Sequence, residues 1–147
     1  MKRIIFLLLT LQILVVSISN AFEPPNPDRW LWVGKTADKN DWWIDLQSIN
    51  YELSNTYRHD KHHQVEVWVM FYDLNNKQIS KQRSIYDISC NQYKITTSLL
   101  LDENNKLLDS LNLNYRDFES VPPESIGERI LQTCKYFWDN DPRNNLK

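Results

Sequence analysis

Glycine is scarce in this chain, and so are the motifs that glycine usually builds. The sequence of 147 residues contains 2 glycines, Gly34 and Gly127, so a backbone nest that cradles phosphate is not expected. It also lacks G-x-S-x-G, H-E-x-x-H and a glycine-rich phosphate loop, the patterns of common hydrolases and nucleotide enzymes. We therefore predict that the protein is not an enzyme and uses no cofactor. A small hydrolase is the alternative, and it would require a pocket with convergent polar groups.

Histidine is also rare, and all 3 histidines lie in the segment RHDKHH. His59, His62 and His63 accompany Asp60, so a metal site is one interpretation of this cluster. Two of the histidines are direct neighbours, however, and no cysteine or glutamate completes a known ligand spacing. We favour a solvated loop over residues 50–63, and no metal is predicted.

Long apolar runs are absent beyond the first residues of the chain. Lys2 and Arg3 precede an apolar run over residues 4–18, and small residues follow at Ser19 and Ala21. The run is shorter than the ~20 residues of a membrane span, so residues 1–21 are predicted to be a secretory signal peptide. No cysteine is available there for a lipid anchor. We expect an exported protein, periplasmic or secreted, with the cell surface as a further location and no transmembrane segment after cleavage.

An excess of positive charge is lacking as well. The chain has 17 Lys and Arg against 19 Asp and Glu. Loss of Lys2 and Arg3 with the signal peptide would leave 15 basic residues against 19 acidic ones, a formal charge of −4. This balance argues against a nucleic-acid partner, because phosphate neutralisation favours a basic face.

Cysteine occurs twice, as Cys90 and Cys134. Two cysteines in an exported chain usually pair, and the absence of a C-x-x-C spacing disfavours a redox pair. In the chain-entropy model, closure of the loop between them would stabilise the fold by about 4 kcal/mol. We therefore predict a structural disulfide between Cys90 and Cys134.

Alternating apolar and polar residues predict a sheet of about six antiparallel strands. A proline-rich extended segment over residues 22–29 comes first. Strand signals then recur, separated by turn sequences. The predicted strands cover residues 30–33, 42–49, 64–74, 78–90, 92–101 and 107–115. In the third strand both faces are apolar, so we expect its second face to be covered by the N-terminal strands or to be a contact surface.

A helix is predicted after the sheet. Ser125 and Glu128 fit the S-x-x-E capping box, and apolar residues recur at helical spacing between Ile126 and Trp138, with Cys134 among them. Such a stripe would lay the helix on one face of the sheet. The predicted fold class is α+β, a single domain over residues 30–138 with the helix tied by the disulfide and a flexible tail over 139–147.

Four basic residues are candidates for contact with a partner. They lie on adjacent strands and a turn, and they are Lys77, Lys81, Arg83 and Lys94. One interpretation is a basic patch that attracts an acidic partner. The other, which we favour, is ordinary solvent-facing charge on strands, because acidic residues are interleaved.

Tryptophan is frequent, with 6 residues. Trp42 and Trp43 are sequence neighbours, so their side chains must point to opposite faces of a strand. At least one of the two is therefore expected to lie outside the core under the helix. We keep Trp42 and Trp43 as candidate partner contacts, with core filling as the alternative.

Five short motifs follow one another along the chain. They are W-x-W-V at 30–33, W-W-I-D-x-x-S-I at 42–49, V-x-V-W-V at 65–69, S-x-Y-D-I-S-C at 84–90 and P-x-S-I-G-E-R-I-L-x-x-C at 123–134. Together they resemble the surface-adhesin protein E family of exported bacterial proteins, and the resemblance spans nearly all of the expected mature chain. It implies an antiparallel sheet of about six strands with a C-terminal helix on its concave side. It also implies that Cys90 and Cys134 correspond to the family's bridge.

The resemblance further implies a binding function. The founding member of the family is a dimeric outer-membrane adhesin that binds host extracellular-matrix and serum proteins, including vitronectin, laminin and plasminogen. We therefore expect a non-enzymatic binding protein with a host protein as its partner, and a homodimer is one way to bury the second apolar face. A soluble periplasmic protein that binds a partner of the same cell envelope, without adhesin activity, is the alternative.

Overall fold

A computed structural model describes the backbone of residues 25–55 and 61–141 and the side chains of residues 25–51 and 63–141. The predicted signal peptide, the start of the proline-rich segment and the end of the tail lie outside these ranges. The described residues form an antiparallel sheet followed by one helix. This arrangement confirms the predicted α+β class.

The sheet has eight strands rather than six. They are β1 (Trp30–Lys35), β2 (Asp41–Asp45), β3 (Asn50–Asn55), β4 (Lys61–Asp73), β5 (Gln78–Asp87), β6 (Gln92–Asp102), β7 (Leu107–Asn112) and β8 (Glu119–Ser120). The order across the sheet is β1-β2-β4-β5-β6-β7, while β3 pairs with β4 and β8 pairs with β6. The six predicted strands correspond to this main path, and β3 and β8 are the two that the prediction missed.

The hairpin of β3 and β4 replaces most of the loop predicted over residues 50–63. β3 pairs with the first half of β4, and Tyr51 lies opposite Val65. The rings of Tyr51 and His63 contact the Trp138 ring, with centroid distances of 5.5 and 4.7 Å. The loop prediction was wrong for two reasons. Backbone hydrogen bonds between strands need few apolar side chains, and Trp138, which contacts Tyr51 and His63, lies far along the chain. His59 and the side chain of His62 lie outside the described residues.

The approach to the sheet contains turns rather than extended chain. The N–H groups of Arg29 and Trp30 both donate to the Asn26 carbonyl, at 3.1 and 2.9 Å, so the described part of segment 22–29 is not extended as predicted. The predicted strand over residues 42–49 is interrupted at Asp45. β2 ends at Asp45, whose carboxylate accepts from the Gln47 N–H at 3.1 Å and caps a 3-10 helix over Leu46–Ser48.

Helix α1 covers Ile126–Asn140. The Ser125 hydroxyl accepts from the Glu128 N–H at 3.1 Å, as the capping motif predicts. The Glu128 carboxylate accepts in return from the Glu124 N–H, one residue before the cap. The helix extends to Asn140, so the predicted tail over 139–147 begins inside its last turn.

The main core lies between α1 and one face of the sheet. The helix contributes Ile130, Leu131, Cys134 and Trp138, as its apolar stripe predicts, and the sheet contributes Ile44, Val65, Val67, Val69 and Tyr86. Burial of an aliphatic side chain of this size contributes roughly 1.5–3 kcal/mol relative to exposure. Apolar packing therefore holds the helix on the sheet.

The predicted disulfide is wrong, because no disulfide bond joins Cys90 to Cys134. Cys134 is fully buried on the inner side of α1, whereas Cys90 is exposed in the turn between β5 and β6. The Asp87 carboxylate accepts from the N–H groups of Ser89 and Cys90 at 3.0 and 3.1 Å. These bonds hold the backbone of Cys90 in a surface turn.

Candidate functional site

Side-chain alternation divides the sheet into two chemically different faces. On β4, Val65, Val67 and Val69 pack under α1, so Trp68, Met70 and Tyr72 point to the opposite face. Residues directly opposite on neighbouring strands share a face, which extends the assignment to β1, β2, β5 and β6. We call this the helix-free face. Its members include Trp30, Trp32, Trp43, Trp68, Met70, Tyr72, Ile79, Lys81, Arg83, Lys94 and Leu101.

The two adjacent tryptophans point to opposite faces, as predicted. Trp43 lies on the helix-free face opposite Met70 and is 8% exposed. Trp42 lies on the helix side, where its ring stacks on Phe71 with centroids 4.3 Å apart. Trp32, which pairs with Trp43 from β1, is more accessible than Trp42 or Trp43. Trp32 is 55% exposed. Its indole N–H donates to the Asp41 carboxylate at 2.9 Å, which fixes the ring at the surface.

Three of the four predicted basic residues share the helix-free face. Lys81 and Arg83 occupy alternate positions of β5, and Lys94 of β6 lies opposite Ile85, the next β5 residue on this face. Lys77 is separate, since it lies exposed in the turn between β4 and β5 with a φ of 52°. The structure therefore brings together Lys81, Arg83 and Lys94 and leaves Lys77 outside the group.

Each cation on this face has a neighbour that orients it. The Lys81 ammonium lies 6.0 Å from the centre of the Trp30 ring, and burial, followed by the charge of Arg29, lowers the pKa of Lys81. Arg83 pairs with Glu66 at 2.6 Å. The Lys94 ammonium lies 4.9 Å from the centre of the Phe118 ring. Such cation–aromatic contacts contribute about 0.5–2 kcal/mol each, depending on desolvation.

An ion pair anchors the N-terminal turn at the edge of this face. The Arg29 guanidinium donates from Nε to both Asp45 oxygens at 3.0 and 3.1 Å and from Nη2 at 2.6 Å. Asp45 is 2% exposed. The hydrogen bond to Asp45, with its negative charge, raises the pKa of Arg29. The sequence does not reveal this pair, since partners separated by 16 residues leave no local pattern.

A cavity of about 610 Å³ lies on the other side of the sheet. It is bounded by the first turn of α1, the β1–β2 turn and the inward residues of β4, β5 and β6. Trp42 lines it, and the buried Nε1–H of this residue has no acceptor within the described part of the chain. The inward positions of β5 carry Gln82 and Ser84 where β4 carries valines. This polar series in QISKQRS is the sequence signal that could have revealed the cavity.

Comparison of the chain with protein-family models, with curated proteins and with solved structures gives no match. No helix among residues 25–55 and 61–141 has both the length and the apolar character needed to cross a membrane. The interpretation of function therefore rests on the helix-free face, on the cavity and on the motifs of the sequence.

Proposed function

We propose that this protein is an exported, non-enzymatic binding protein of the surface-adhesin protein E type, and that it holds a protein partner against the helix-free face. One observation carries the proposal. Four of the six tryptophans share this face, which no helix of the described residues covers, and they are Trp30, Trp32, Trp43 and Trp68. Lys81, Arg83 and Lys94 accompany them.

The chemistry of the helix-free face suits recognition of another protein. Binding energy at protein interfaces is concentrated in tryptophan, tyrosine and arginine side chains. Trp32 offers a large exposed ring whose orientation is fixed by Asp41. Because these side chains project from paired strands, little conformational entropy is lost when they bind.

The cations indicate the charge of the partner. Lys94 has no ion pair among the described residues, and Arg83 is paired with Glu66. Together they would favour a mixed or acidic surface, which Lys94 would attract at low ionic strength. The ordered motifs that resemble surface-adhesin protein E support a host extracellular-matrix or serum protein as this partner.

The polar residues of the cavity support binding rather than catalysis. Its lining includes the hydroxyl groups of Ser84 and Ser125 but, within the described residues, no histidine, aspartate or cysteine, and its one carboxylate is that of Glu124. A serine nucleophile needs an adjacent base. The Ser125 hydroxyl is already engaged, since it donates to the Pro122 carbonyl at 2.6 Å and caps α1.

A partner in the protein's own cell envelope is the second candidate. The predicted signal peptide supports this candidate, because it would direct the chain out of the cytoplasm whether or not the protein reaches the cell surface. Such a protein could use the same helix-free face for a periplasmic partner and have no adhesin activity.

Surface plasmon resonance with immobilised vitronectin, laminin and plasminogen tests the proposal. We expect saturable micromolar binding that weakens between 0.05 and 0.5 M NaCl, since exposed charges are screened. Trp32→Ala should weaken binding about tenfold or more, and Lys94→Gln less. Lys106→Gln, which changes an exposed lysine before β7, is the matched control. No binding to the whole panel, or equal binding by Trp32→Ala and Lys106→Gln, would contradict the proposal.

The cellular location of the protein distinguishes the surface adhesin from the periplasmic protein. A photo-crosslinking residue at position 32 should capture a host protein if the protein is an adhesin and an envelope protein if it is periplasmic. Protease treatment of intact cells should degrade the adhesin form and spare the periplasmic form.

A further inference from the structure

The cavity beside α1 contains two buried hydroxyl groups that have no hydrogen-bond partner among the described residues. Ser84 is 2% exposed and Tyr86 is 3% exposed, and both line the cavity. Neither hydroxyl bonds to any residue that the structure describes, and neither is enclosed by packed atoms. Buried polar side chains nearly always have a partner. These hydroxyls are therefore available to a molecule that enters the cavity.

The hydroxyls of Ser84 and Tyr86 can each donate and accept one or more hydrogen bonds. Burial raises the pKa of Tyr86 far above its ordinary range, and the neighbouring Tyr93 adds to the effect. Tyr86 therefore keeps its proton and can donate it in a hydrogen bond at any physiological pH. The floor of the cavity suits a ligand hydroxyl or carbonyl.

A positive charge lies in the lining of the same cavity. Arg129 forms no ion pair or side-chain hydrogen bond with a described residue. Lys35 also lines the cavity, but it pairs with Asp41 at 3.1 Å. Glu124 is the one acidic residue of the described lining. Arg129 is thus available to a ligand carboxylate, which a guanidinium can bind with two parallel hydrogen bonds.

Gly34 allows Arg129 to take this place. A Cβ atom at Gly34 would lie 2.7 Å from Arg129 Nη1 and 3.0 Å from Ile126 Cδ1. A side chain at position 34 would require the Arg129 guanidinium and the Ile126 side chain to shift away from β1. The close contact between Gly34 and Arg129 therefore contributes to the shape of the cavity.

The remaining wall is apolar and partly aromatic. Trp42, Val69, Tyr93, Ile95 and Ile130 supply flat and branched surfaces. A volume of about 610 Å³ is within the ~300–1,000 Å³ of small-molecule sites. The lining thus combines an apolar body, one free cation and a hydroxyl pair.

We propose that this cavity binds a small hydroxylated aryl carboxylate. The carboxylate pairs with Arg129, the aromatic ring lies against Trp42 and its apolar neighbours, and the ligand hydroxyl bonds to Ser84 and Tyr86. The lining carries two cations, Lys35 and Arg129, against one acidic residue, Glu124, so a carboxylate is favoured over an amine. The site lies on the opposite side of the sheet from the helix-free face, so this proposal and the proposed function can fail independently.

Isothermal titration calorimetry with 6-hydroxy-2-naphthoate tests the site. We expect the purified protein to bind this probe with a Kd below about 1 mM, which is modest for a ligand of this size. Two comparators each lack one recognition group. They are 2-naphthoate, without the hydroxyl, and 6-hydroxy-2-naphthamide, without the charge. Both should bind more weakly to the unchanged protein.

Variants assign each ligand group to its partner. Arg129→Gln should weaken binding of 6-hydroxy-2-naphthoate about tenfold and leave the affinity for 6-hydroxy-2-naphthamide unchanged. Tyr86→Phe, which keeps the ring, should weaken binding of 6-hydroxy-2-naphthoate about fivefold and leave the affinity for 2-naphthoate unchanged. Lys135→Gln, on the exposed side of α1, is the charge-matched control.

Ile95→Trp, which fills the cavity from its wall, should abolish binding of all three probes, and circular dichroism checks that each variant is folded. Three results would overturn the proposal. The first is a Kd above about 5 mM for the unchanged protein. The second is equal affinity in Arg129→Gln, Tyr86→Phe and Lys135→Gln. The third is full binding by folded Ile95→Trp, which would mean that the probe binds elsewhere on the surface.

Discussion

The two faces of the sheet are built from the same strands but are covered in different ways. On one face, the β4 valines pack against α1 in a core of aliphatic and aromatic side chains. On the helix-free face, the apolar cluster of Trp43, Met70, Tyr72, Ile79 and Leu101 has Trp30 packed against it. That cluster is shielded by large side chains of its own strands instead of by a helix.

This difference separates stability from recognition. A helix removes nearly all of the apolar surface beneath it from water, so the helix-covered face contributes more to folding. Large side chains on the helix-free face shield their inner neighbours but keep their own outer surfaces accessible, as Trp32 does. Polar residues on the inner side of β5 prevent complete packing there and leave room for the cavity. One strand pattern therefore supports a core, a cavity and an exposed aromatic surface.

Truncation of the helix core should have the largest effect. Ile130 is fully buried between α1 and the sheet, so Ile130→Ala should lower the free energy of unfolding by about 2–5 kcal/mol through lost burial and the cavity left behind. Urea unfolding followed by tryptophan fluorescence measures this loss. Gln132→Ala, on the exposed side of the same helix, should change stability by about 0.5 kcal/mol or less. A loss below about 1 kcal/mol for Ile130→Ala would mean that α1 does not stabilise the fold by packing.

Local patterns predicted the parts of this fold that depend on neighbouring residues. The α1 stripe and the Ser125 cap follow from spacings of three and four residues, and the six main strands follow from alternation. The opposite orientation of Trp42 and Trp43 also needed only the strand period. These features could be predicted because each is encoded within one element.

Features that depend on distant residues could not be predicted in this way. β3 is held by backbone pairing and by contact with Trp138, far along the chain. The cysteine prediction assumed that two thiols in an exported chain meet, but Asp87 fixes Cys90 in a surface turn. The place of Arg129 in the cavity depends on the close approach of α1 to Gly34. Three-dimensional proximity of this kind has no signal in residue spacing.

Alkaline pH should have the next largest effect, because it should destabilise the packing on the helix-covered face. Burial raises the pKa of the Cys134 thiol to about 12, whereas the same thiol ionises near pH 9 in an unfolded chain. The folded state therefore keeps a proton that the unfolded state releases. Stability from this group is complete below pH 9 and falls between pH 9 and 12, by roughly 1 kcal/mol per pH unit. Tyr86, whose pKa is also raised by burial, should add to the loss above pH 10.

The helix-free face should show the opposite sign of pH dependence. Burial lowers the pKa of Lys81, so the folded state releases a proton before the unfolded state does, and stability increases as pH rises through that window. Urea unfolding between pH 8 and 11 measures both slopes. Cys134→Ala should reduce the loss of unfolding free energy at alkaline pH, and Lys81→Gln should increase it. Equal slopes in Cys134→Ala and the unchanged protein would show that the thiol is not buried in the folded state.

The ion pair of Glu66 and Arg83 on the helix-free face should have the smallest effect. Its atoms are 2.6 Å apart, and the Arg83 side chain is almost half exposed, so a double-mutant cycle of Glu66→Gln and Arg83→Gln should give a coupling of about 0.2–1 kcal/mol. The coupling should decrease in 0.5 M NaCl, because solvent-exposed charges are screened. A coupling above about 2 kcal/mol that is insensitive to salt is typical of a pair removed from water. That result would mean that another surface covers the helix-free face in solution, and the contrast between a packed face and a solvent-exposed face would then be incorrect.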